Sequence, residues 1–385
     1  MLKEAAKRDI DNAGEALVEL SHAIHARPEL RFEEHQASAM VADMLQGVGF
    51  TVDMGVCDLP TAFVATSGSG PLVVAICAEY DALPGIGHAC GHNVIAAAAV
   101  GAGLALSRVA DFLGITVKVM GTPAEEGGGG KITMLEGGAF DGVHAAMMVH
   151  PVALDVDPVE AVTLAVSHLE VHYRGKSAHA SSYPHRGVNA ADAMTVAQVA
   201  VGLLRQHLRP TDRVHGIVTK GGDAPNIVPE DTRGEWYVRA DSLEHLAMVE
   251  PRVLACFEAG ALATGTTVDV GRLSAPYSEF RHDGSIGRLY AANAQALGRH
   301  CPDIPRSQLE RFAGSTDMAN VSLAIPTIHP SLGLNCLPAS NHQPEFTAAA
   351  ASGAADKAIL DGATAMAWTC IDIASDDAER GRLTA

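Results

Sequence analysis

Short apolar runs alternate with glycine-rich turns and helical stretches between residues 52 and 151. The runs are TAFVATSG, PLVVAICAEYDALP, HNVIAAAAVGAGLALSRV, ITVKVMGTPAEEGGGG and AAMMVHP. This alternation of apolar runs, turns and helical stretches predicts parallel βαβ units. Because ligands of open α/β sheets bind beyond the carboxyl ends of the strands, we expect the polar residues that follow three of these runs to face one crevice. They are Asp81, the pair Glu125 and Glu126, and His150.

The order of predicted elements changes between residues 163 and 277. A strand (LAVSHLEVHYRG), a helix, two strands (RVHGIVTKGG and RGEWYVRAD), a helix and a strand (TTVDVGRLS) follow one another. This βαββαβ order is typical of a ferredoxin-like α+β module. The chain then returns to polar motifs, GSTDMANVS and NHQPEF, and a long alanine-rich helix is expected from Thr347 towards Asp372. We therefore expect a discontinuous α/β domain, residues 1–162 and 278–385, interrupted by an inserted domain, residues 163–277.

Composition and charge narrow the class of protein. A chain of 385 residues with 48% hydrophobic residues suits an enzyme of two domains. The formal charge of −18, without a cluster of Lys and Arg, makes a nucleic-acid partner unexpected. The N-terminal segment has the pattern of an amphipathic helix rather than of a signal peptide, and the apolar stretches are too short for a membrane anchor. Seven cysteines without framework spacing indicate a reducing compartment, so we expect a cytoplasmic protein.

Two motifs carry candidate metal chemistry. In GIGHACGHN, Cys90 and His92 stand two apart where a glycine-rich loop meets a helix, and thiolate and imidazole are good zinc ligands. A buried cysteine beside a helix-capping histidine explains these few residues equally well. In TPAEEGGGGK, Glu125 and Glu126 leave a strand in opposite directions, so one carboxylate can hold a metal while its neighbour faces water. A solvated acidic turn is the alternative, but a buried strand before the pair and four glycines after it favour function.

Two further histidines are weaker candidates when taken alone. His150 closes the apolar strand AAMMV, a position that core histidines often occupy. His342, in NHQPEF, precedes the last helix, where it could return to the crevice from a distant part of the chain. Neither residue identifies a metal site without the others.

Several motifs together carry a family resemblance over nearly the whole chain. They are IHARPELRFEEH, EYDALPGIGHACGHN, GTPAEEGGGGK, GKSAHASSYPHRGVNAADA, GGDAPNIVPE with WYVRAD, GSTDMANVS and NHQPEF. The chain resembles the aminoacylase and carboxypeptidase-type metallopeptidases, in particular the branch of auxin-conjugate and aminobenzoyl-glutamate hydrolases. The resemblance implies a zinc-peptidase-like catalytic domain with a mixed, largely parallel sheet. It also implies that the inserted ferredoxin-like domain mediates dimerisation.

The same resemblance implies a dinuclear centre. Two divalent ions are expected, with zinc preferred and manganese, cobalt or nickel compatible. Glu125 would act as general base on a metal-activated water, and Asp81 would orient a ligand imidazole. The implied metal ligands are Cys90, His92, Glu126, His150 and His342. Which ligand bridges the two ions is left open by the sequence.

Three residues of the inserted domain are implicated by the resemblance. His179, in SAHAS, would stabilise the oxyanion from a second subunit, so that catalysis would depend on a homodimer. Asn226 and Arg239 match positions that contact substrate in relatives. Since a guanidinium binds a carboxylate through two hydrogen bonds, Arg239 predicts a small-molecule substrate with a free carboxylate.

Departures from the wider family bear on the substrate. Asn93 stands where many relatives have Asp, and Glu79 with Tyr80 precedes Asp81 where the wider family has a ligand histidine. Both are features of the subgroup that cleaves aminobenzoyl-glutamate and dipeptides. We therefore predict hydrolysis of the amide bond of N-acyl amino acids or dipeptides, with substrates of this kind preferred. The alternatives are a deacetylase of an N-acetylated amine intermediate and a non-catalytic metal-binding partner protein. Glu125 speaks against the latter, since a structural site needs no base.

Overall fold

The computed structural model describes residues 1–310 and 313–385. The chain forms two compact units, the first comprising Met1–Val162 and Phe280–Ala385 and the second Thr163–Glu279. The strands are β1 (Thr51–Met54), β2 (Phe63–Gly68), β3 (Leu72–Ala78), β4 (Ile115–Gly121), β5 (Ala145–Met147), β6 (His150–Val152), β7 (Ala165–Arg174), β8 (Arg213–Lys220), β9 (Asp231–Ala240), β10 (Thr267–Arg272), β11 (Thr327–Ile328) and β12 (Ser331–Gly333). The helices are α1 (Leu2–His25), α2 (His35–Gly47), α3 (His92–Ser107), α4 (Ala110–Leu113), α5 (Gly130–Glu136), α6 (Ala190–Leu204), α7 (Leu243–Thr264), α8 (Gly284–Ala296), α9 (Arg306–Leu309), α10 (Met318–Ala324), α11 (Pro344–Ala349), α12 (Gly353–Ser375) and α13 (Asp377–Thr384).

The first unit is built on a mixed, largely parallel sheet with the strand order β1-β2-β4-β3-β5-β11. The strands β4, β3, β5 and β11 pair in parallel, as the alternating pattern predicts. The strand β2 pairs antiparallel with both β1 and β4, so the expectation of parallel βαβ units is wrong for the run TAFVATSG. The reason lies in the connection, because a parallel crossover needs about a dozen residues or more and the segment between β1 and β2 is shorter.

The alanine-rich helix α3 lies in the core of the first unit. Every residue from His92 to Leu106 is buried, and the helix packs against α1, α12 and the strands β3 and β4. A helix that is apolar on all sides belongs in an interior. Its first residue, His92, is therefore attached to one of the most tightly enclosed elements of the fold.

The predicted C-terminal helix is interrupted. Helix α11 ends at Ala349 and α12 begins at Gly353, where the side chain of Ser352 accepts a hydrogen bond from the backbone N–H of Ala355. At the break, the buried Asn93 amide donates to the carbonyl oxygen of Ala350 at 2.8 Å. A side chain from α3 thus satisfies a carbonyl that a continuous helix would have used.

The second unit has the element order βαββαβ and an antiparallel sheet in the order β10-β7-β9-β8. Helices α6 and α7 pack on each other and against strands β7 and β9 of this sheet. Strand β8 forms one edge, and most of its residues are exposed. Among the helices of the described ranges, none has the length and apolar character that a membrane span requires.

Candidate metal centre

The carboxyl ends of β3, β4 and β5 lie side by side and position the acidic side chains. Strand β3 pairs in parallel with both neighbours, and the N–H of Thr122 donates to the carbonyl of Ala78 where β3 and β4 end. Asp81 follows β3, and Glu125 with Glu126 follows β4. His150 does not close β5 as expected. It begins the separate short strand β6, which pairs with β12, because β5 ends three residues earlier.

A glycine between Cys90 and His92 shapes the other side of the centre. Gly91 precedes α3 with φ of 76°, and a Cβ at this position would lie 2.4 Å from Cγ of Pro151. No residue with a side chain fits there without movement. The turn therefore brings the Cys90 thiol and the His92 imidazole close to the segment that carries His150.

The five predicted ligands converge. Sγ of Cys90 lies 3.4 Å from Nε2 of His150, and Oε1 of Glu126 lies 3.9 Å from Nε2 of His92 and 3.5 Å from Nε2 of His342. Their donor atoms form two groups in which all members lie within 4.8 Å of one another: Cys90 with His92 and His150, and Cys90 with Glu126 and His342. Cys90 belongs to both groups. His342 adopts a left-handed conformation with φ of 67°, which is uncommon for a residue other than glycine.

Hydrogen bonds fix which ring nitrogens face the centre. Oδ1 of Asp81 accepts from Nδ1 of His92 at 2.9 Å, and Oδ2 accepts from the backbone N–H of Glu126 at 2.9 Å. Nδ1 of His150 donates to the carbonyl oxygen of Pro151 at 2.9 Å. Both imidazoles therefore present Nε2 to the other donor atoms, which is the usual arrangement of histidines that bind metal.

The electrostatics of the cluster favour a cation. Burial, together with the neighbouring carboxylates of Glu79 and Glu126, raises the pKa of Glu125 well above its usual value. Burial and His329 lower the pKa of His150 to about 3, so this ring is neutral and able to bind metal. Nε2 of His92 and Oε1 of Glu126 are buried without a hydrogen-bond partner among the described residues. Buried anions and unpaired donor atoms at one point are costly unless a cation joins them, so the residues fit divalent metal.

Comparison with known proteins identifies the family. Residues 75–366 match the model of Peptidase family M20/M25/M40. The chain belongs to this family. It is 40% identical to the Xaa-Arg dipeptidase of Mus musculus over 97% of this chain and 89% of that protein. It is 35% identical to one of the subunits of p-aminobenzoyl-glutamate hydrolase from Escherichia coli, over 68% of this chain and 59% of that protein. The fold is shared with a dinuclear metal-binding M20 peptidase of Bacillus subtilis, with a TM-score of 0.63, 22% identity and coverage of 92% and 98% of the two chains.

Membership of the M20 family makes the chain a metal-dependent hydrolase of amide bonds. The prediction of this enzyme class from the ordered motifs is confirmed. The roles of individual residues remain predictions at this point. The five predicted ligands, Glu125 and Asp81 all lie in one cluster of the first unit.

The residues predicted to bind substrate or to stabilise the oxyanion lie in the second unit. His179 is exposed, and its Nδ1 accepts hydrogen bonds from the backbone N–H groups of Ser181 and Ser182 at 3.3 and 3.1 Å. Asn226 is close by, since its carbonyl oxygen accepts from the N–H of Ala180 at 3.0 Å. Arg239 lies on β9, apart from these segments in sequence, and its Nε donates to Nε2 of His215 at 3.3 Å.

Two charged residues behind the centre were not predicted from the sequence. Lys131 and Asp317 are fully buried, and Nζ of Lys131 bonds Oδ1 of Asp317 at 2.6 Å. The signal for Lys131 is its place directly after four glycines. A Cβ on Gly130 would lie 2.0 Å from the carbonyl oxygen of Pro123, so this turn is closed tightly around the site. Asp317 stands within the motif GSTDMANVS, for which no role was predicted.

Proposed function

We propose that the chain is a dinuclear metal-dependent dipeptidase or N-acyl amino acid hydrolase. The observation that carries the proposal is the pair of donor groups that share Cys90. Two groups with a common member suit two ions, which Cys90, His92, Glu126, His150 and His342 would hold. Zinc suits this mixture of thiolate, imidazole and carboxylate, while manganese, cobalt and nickel are compatible.

The chain's own residues supply the proton transfers. A divalent ion, when bound, acidifies a coordinated water and polarises the carbonyl oxygen of the substrate. Glu125 then accepts the proton of the attacking water and returns it to the leaving amine nitrogen. Its placement supports this role, because Oε2 of Glu125 lies 3.8 Å from Nε2 of His92 at the edge of the cluster. Asp81 keeps Nδ1 of His92 protonated and so holds Nε2 as a ligand.

The relatives and the charge of the chain favour a dipeptide substrate. The Mus musculus relative is named for dipeptides that end in arginine, and the Escherichia coli relative for aminobenzoyl-glutamate. Both names imply a free carboxylate on the leaving amino acid, which Arg239 and Asn226 would bind. The net charge of −18 would attract a cationic side chain, so we place dipeptides with C-terminal Arg first.

We also propose a homodimer formed through the second unit. Ile217 and Val218 of edge strand β8 are 64% and 41% exposed. An exposed apolar edge of this kind favours pairing with the same strand of a second chain. His179 supports a role in catalysis, since the bonds that its Nδ1 accepts leave the ring proton on Nε2. That proton can be donated to an oxyanion in the partner's site.

The cytoplasm is the compartment that the cysteines support. Each of the seven carries a free thiol. Reducing conditions preserve such thiols, including that of Cys90.

The decisive experiment is a substrate panel with the metal-loaded protein. We expect the highest kcat/KM for Xaa-Arg dipeptides, with lower values for aminobenzoyl-glutamate and N-acetylated amino acids. Glu125→Gln should retain the wild-type metal content and lose about 10²- to 10⁴-fold in kcat, the usual contribution of a general base. If no amide in the panel is cleaved, or if Glu125→Gln is fully active, the proposed mechanism is wrong.

The dimer requires its own test. Ile217→Lys should convert the dimer to a monomer in analytical ultracentrifugation and lower activity. Leu262→Lys is the matched control, because Leu262 is 88% exposed in the same unit but lies on α7, away from the edge strand. A wild type that sediments as a monomer, or equal effects of the two variants, would refute the edge-strand dimer.

A further inference from the structure

A buried lysine binds two carboxylates directly behind the metal centre. Nζ of Lys131 lies 2.6 Å from Oε1 of Glu79 and 2.6 Å from Oδ1 of Asp317, and all three side chains have no exposed surface. Asp317 also accepts the backbone N–H of Lys131 at 2.9 Å. Charges are expensive to bury unless they are paired with good geometry, so this arrangement must hold its members in fixed positions.

The second oxygen of Glu79 has a different environment. Oε2 of Glu79 is buried without a hydrogen-bond partner among the described residues, and it lies 3.4 Å from Nε2 of His92, which also lacks one there. Because Nδ1 of His92 donates to Asp81, the neutral ring presents a lone pair at Nε2. When the ring is neutral, two electron-pair donors therefore face each other in the interior, and either a proton on Nε2 or a metal ion between them makes the contact favourable.

The separation of these two atoms suits a shared metal ion. Two ligands bound at about 2.1 Å in a tetrahedral arrangement lie about 3.4 Å apart. The donor atoms of Glu79, His92 and Glu125 also lie within 4.8 Å of one another. In this third group, His92 is the one member of the five predicted ligands. Glu79 is thus aligned with the ion that His92 would hold.

We propose that Glu79 is a sixth protein ligand of the metal centre and that Lys131, braced by Asp317, positions it. The inference rests on the metal centre proposed above. Lys131 anchors Oε1 and thereby directs Oε2 towards His92. The added carboxylate makes the donor set harder, which raises the affinity for Mn²⁺ relative to a centre with only one carboxylate ligand.

Substitution of Glu79 separates a ligand from a structural residue. In Glu79→Gln the amide oxygen can still accept from Lys131, but the amide nitrogen then occupies the position of Oε2 and cannot bind metal. We expect at least a tenfold loss of Mn²⁺ affinity in chelator competition and a smaller rise of Tm on adding Mn²⁺. Glu79→Asp keeps the charge but shortens the side chain, so it should also bind Mn²⁺ more weakly. This variant replaces Glu79→Gln in the test if Glu79→Gln folds poorly.

Two further variants test the assignment of Lys131 and the specificity of the effect. Lys131→Met should weaken Mn²⁺ binding, and the double variant with Glu79→Gln should bind no more weakly than Glu79→Gln alone, because both changes act through one oxygen.

Asp157→Asn is the control. Asp157 is a buried carboxylate of the same unit, paired with Arg299 at 2.8 Å, and belongs to none of the three donor groups. It should lower Tm without changing the Mn²⁺ affinity.

The outcomes distinguish this inference from the function on which it rests. Wild-type Mn²⁺ affinity and stoichiometry in both Glu79 variants would overturn the ligand role of Glu79 and leave the five-ligand centre intact. A wild-type protein that takes up no Mn²⁺, Zn²⁺ or Co²⁺ would overturn the metal centre itself. Equal losses of affinity in Asp157→Asn and Glu79→Gln would show that only stability is involved and would also refute the proposal.

Discussion

Asp81→Asn tests how the fold prepares His92 for metal. The Asp81 carboxylate is 1% exposed and accepts two hydrogen bonds at 2.9 Å, from Nδ1 of His92 and from the N–H of Glu126. Asparagine has one acceptor oxygen and one donor amide, so it can preserve only one of these bonds. If the amide nitrogen turns towards His92, Nδ1 must accept and the ring proton moves to Nε2. His92 then loses the lone pair that the proposed metal centre requires.

The magnitude follows from this geometry. A hydrogen bond to a charged group contributes about 1.5–3 kcal/mol. Loss of a residue that orients a ligand histidine commonly costs about 10- to 100-fold in metal affinity, or about 1.4–2.7 kcal/mol. The two estimates agree, and we expect Asp81→Asn to bind Zn²⁺ about 10- to 100-fold more weakly than the wild type.

Chelator competition measures this difference directly. Asp157→Asn provides the control here as well, since Asp157 accepts a backbone N–H, that of Gly333, together with the Arg299 guanidinium. It should lose stability and keep wild-type Zn²⁺ affinity. Unchanged Zn²⁺ binding by Asp81→Asn would show that the Asp81 contact does not set the tautomer of His92.

Three other predictions follow from the same site. Burial and the neighbouring Glu126 raise the pKa of the Cys90 thiol, so Zn²⁺ uptake should release its proton, and the Zn²⁺ affinity should rise about tenfold per pH unit near neutrality. Calorimetry in buffers of different ionisation enthalpy counts the released protons, and an unchanged count in Cys90→Ser would contradict the assignment of Cys90 as a ligand. Gly91→Ala should destabilise the protein by about 2 kcal/mol or more, because the added methyl group collides with Pro151. Gly85 has a similar positive φ but open space around it, so Gly85→Ala should cost only the backbone strain, and equal Tm shifts in the two variants would refute the collision. Arg239→Lys should raise KM about tenfold for substrates with a free carboxylate and leave kcat and amidated substrates unaffected, and a change in kcat alone would exclude a binding role.

Much of the site was accessible from the sequence because the relevant signals are local. Polar residues directly after apolar runs predicted which strand ends would carry chemistry, and Asp81 and Glu125 indeed follow β3 and β4. The direction of β2 was not accessible in this way. Its apolar pattern is that of any buried strand, and the short connection from β1 decides its direction only once the pairing of β1 with β2 is known.

The interruption between α11 and α12 shows a similar limit. An alanine-rich segment favours a continuous helix by propensity alone. The break depends on the Ser352 cap and on the amide of Asn93, which reaches the carbonyl of Ala350 from 257 positions away. Tertiary packing therefore overrides local preference at this point.

The sequence by itself determined the chemical identity and local spacing of the donors, such as Cys90 with His92 and the Glu125–Glu126 pair. A few backbone dihedral angles relate such neighbours, so their arrangement is encoded nearby. Only the tertiary structure decided how Lys131 meets carboxylates 52 and 186 positions away and which nitrogen of His92 faces the centre. Sheet order and helix packing produce those contacts, and the cost of burying charge explains why each must be matched.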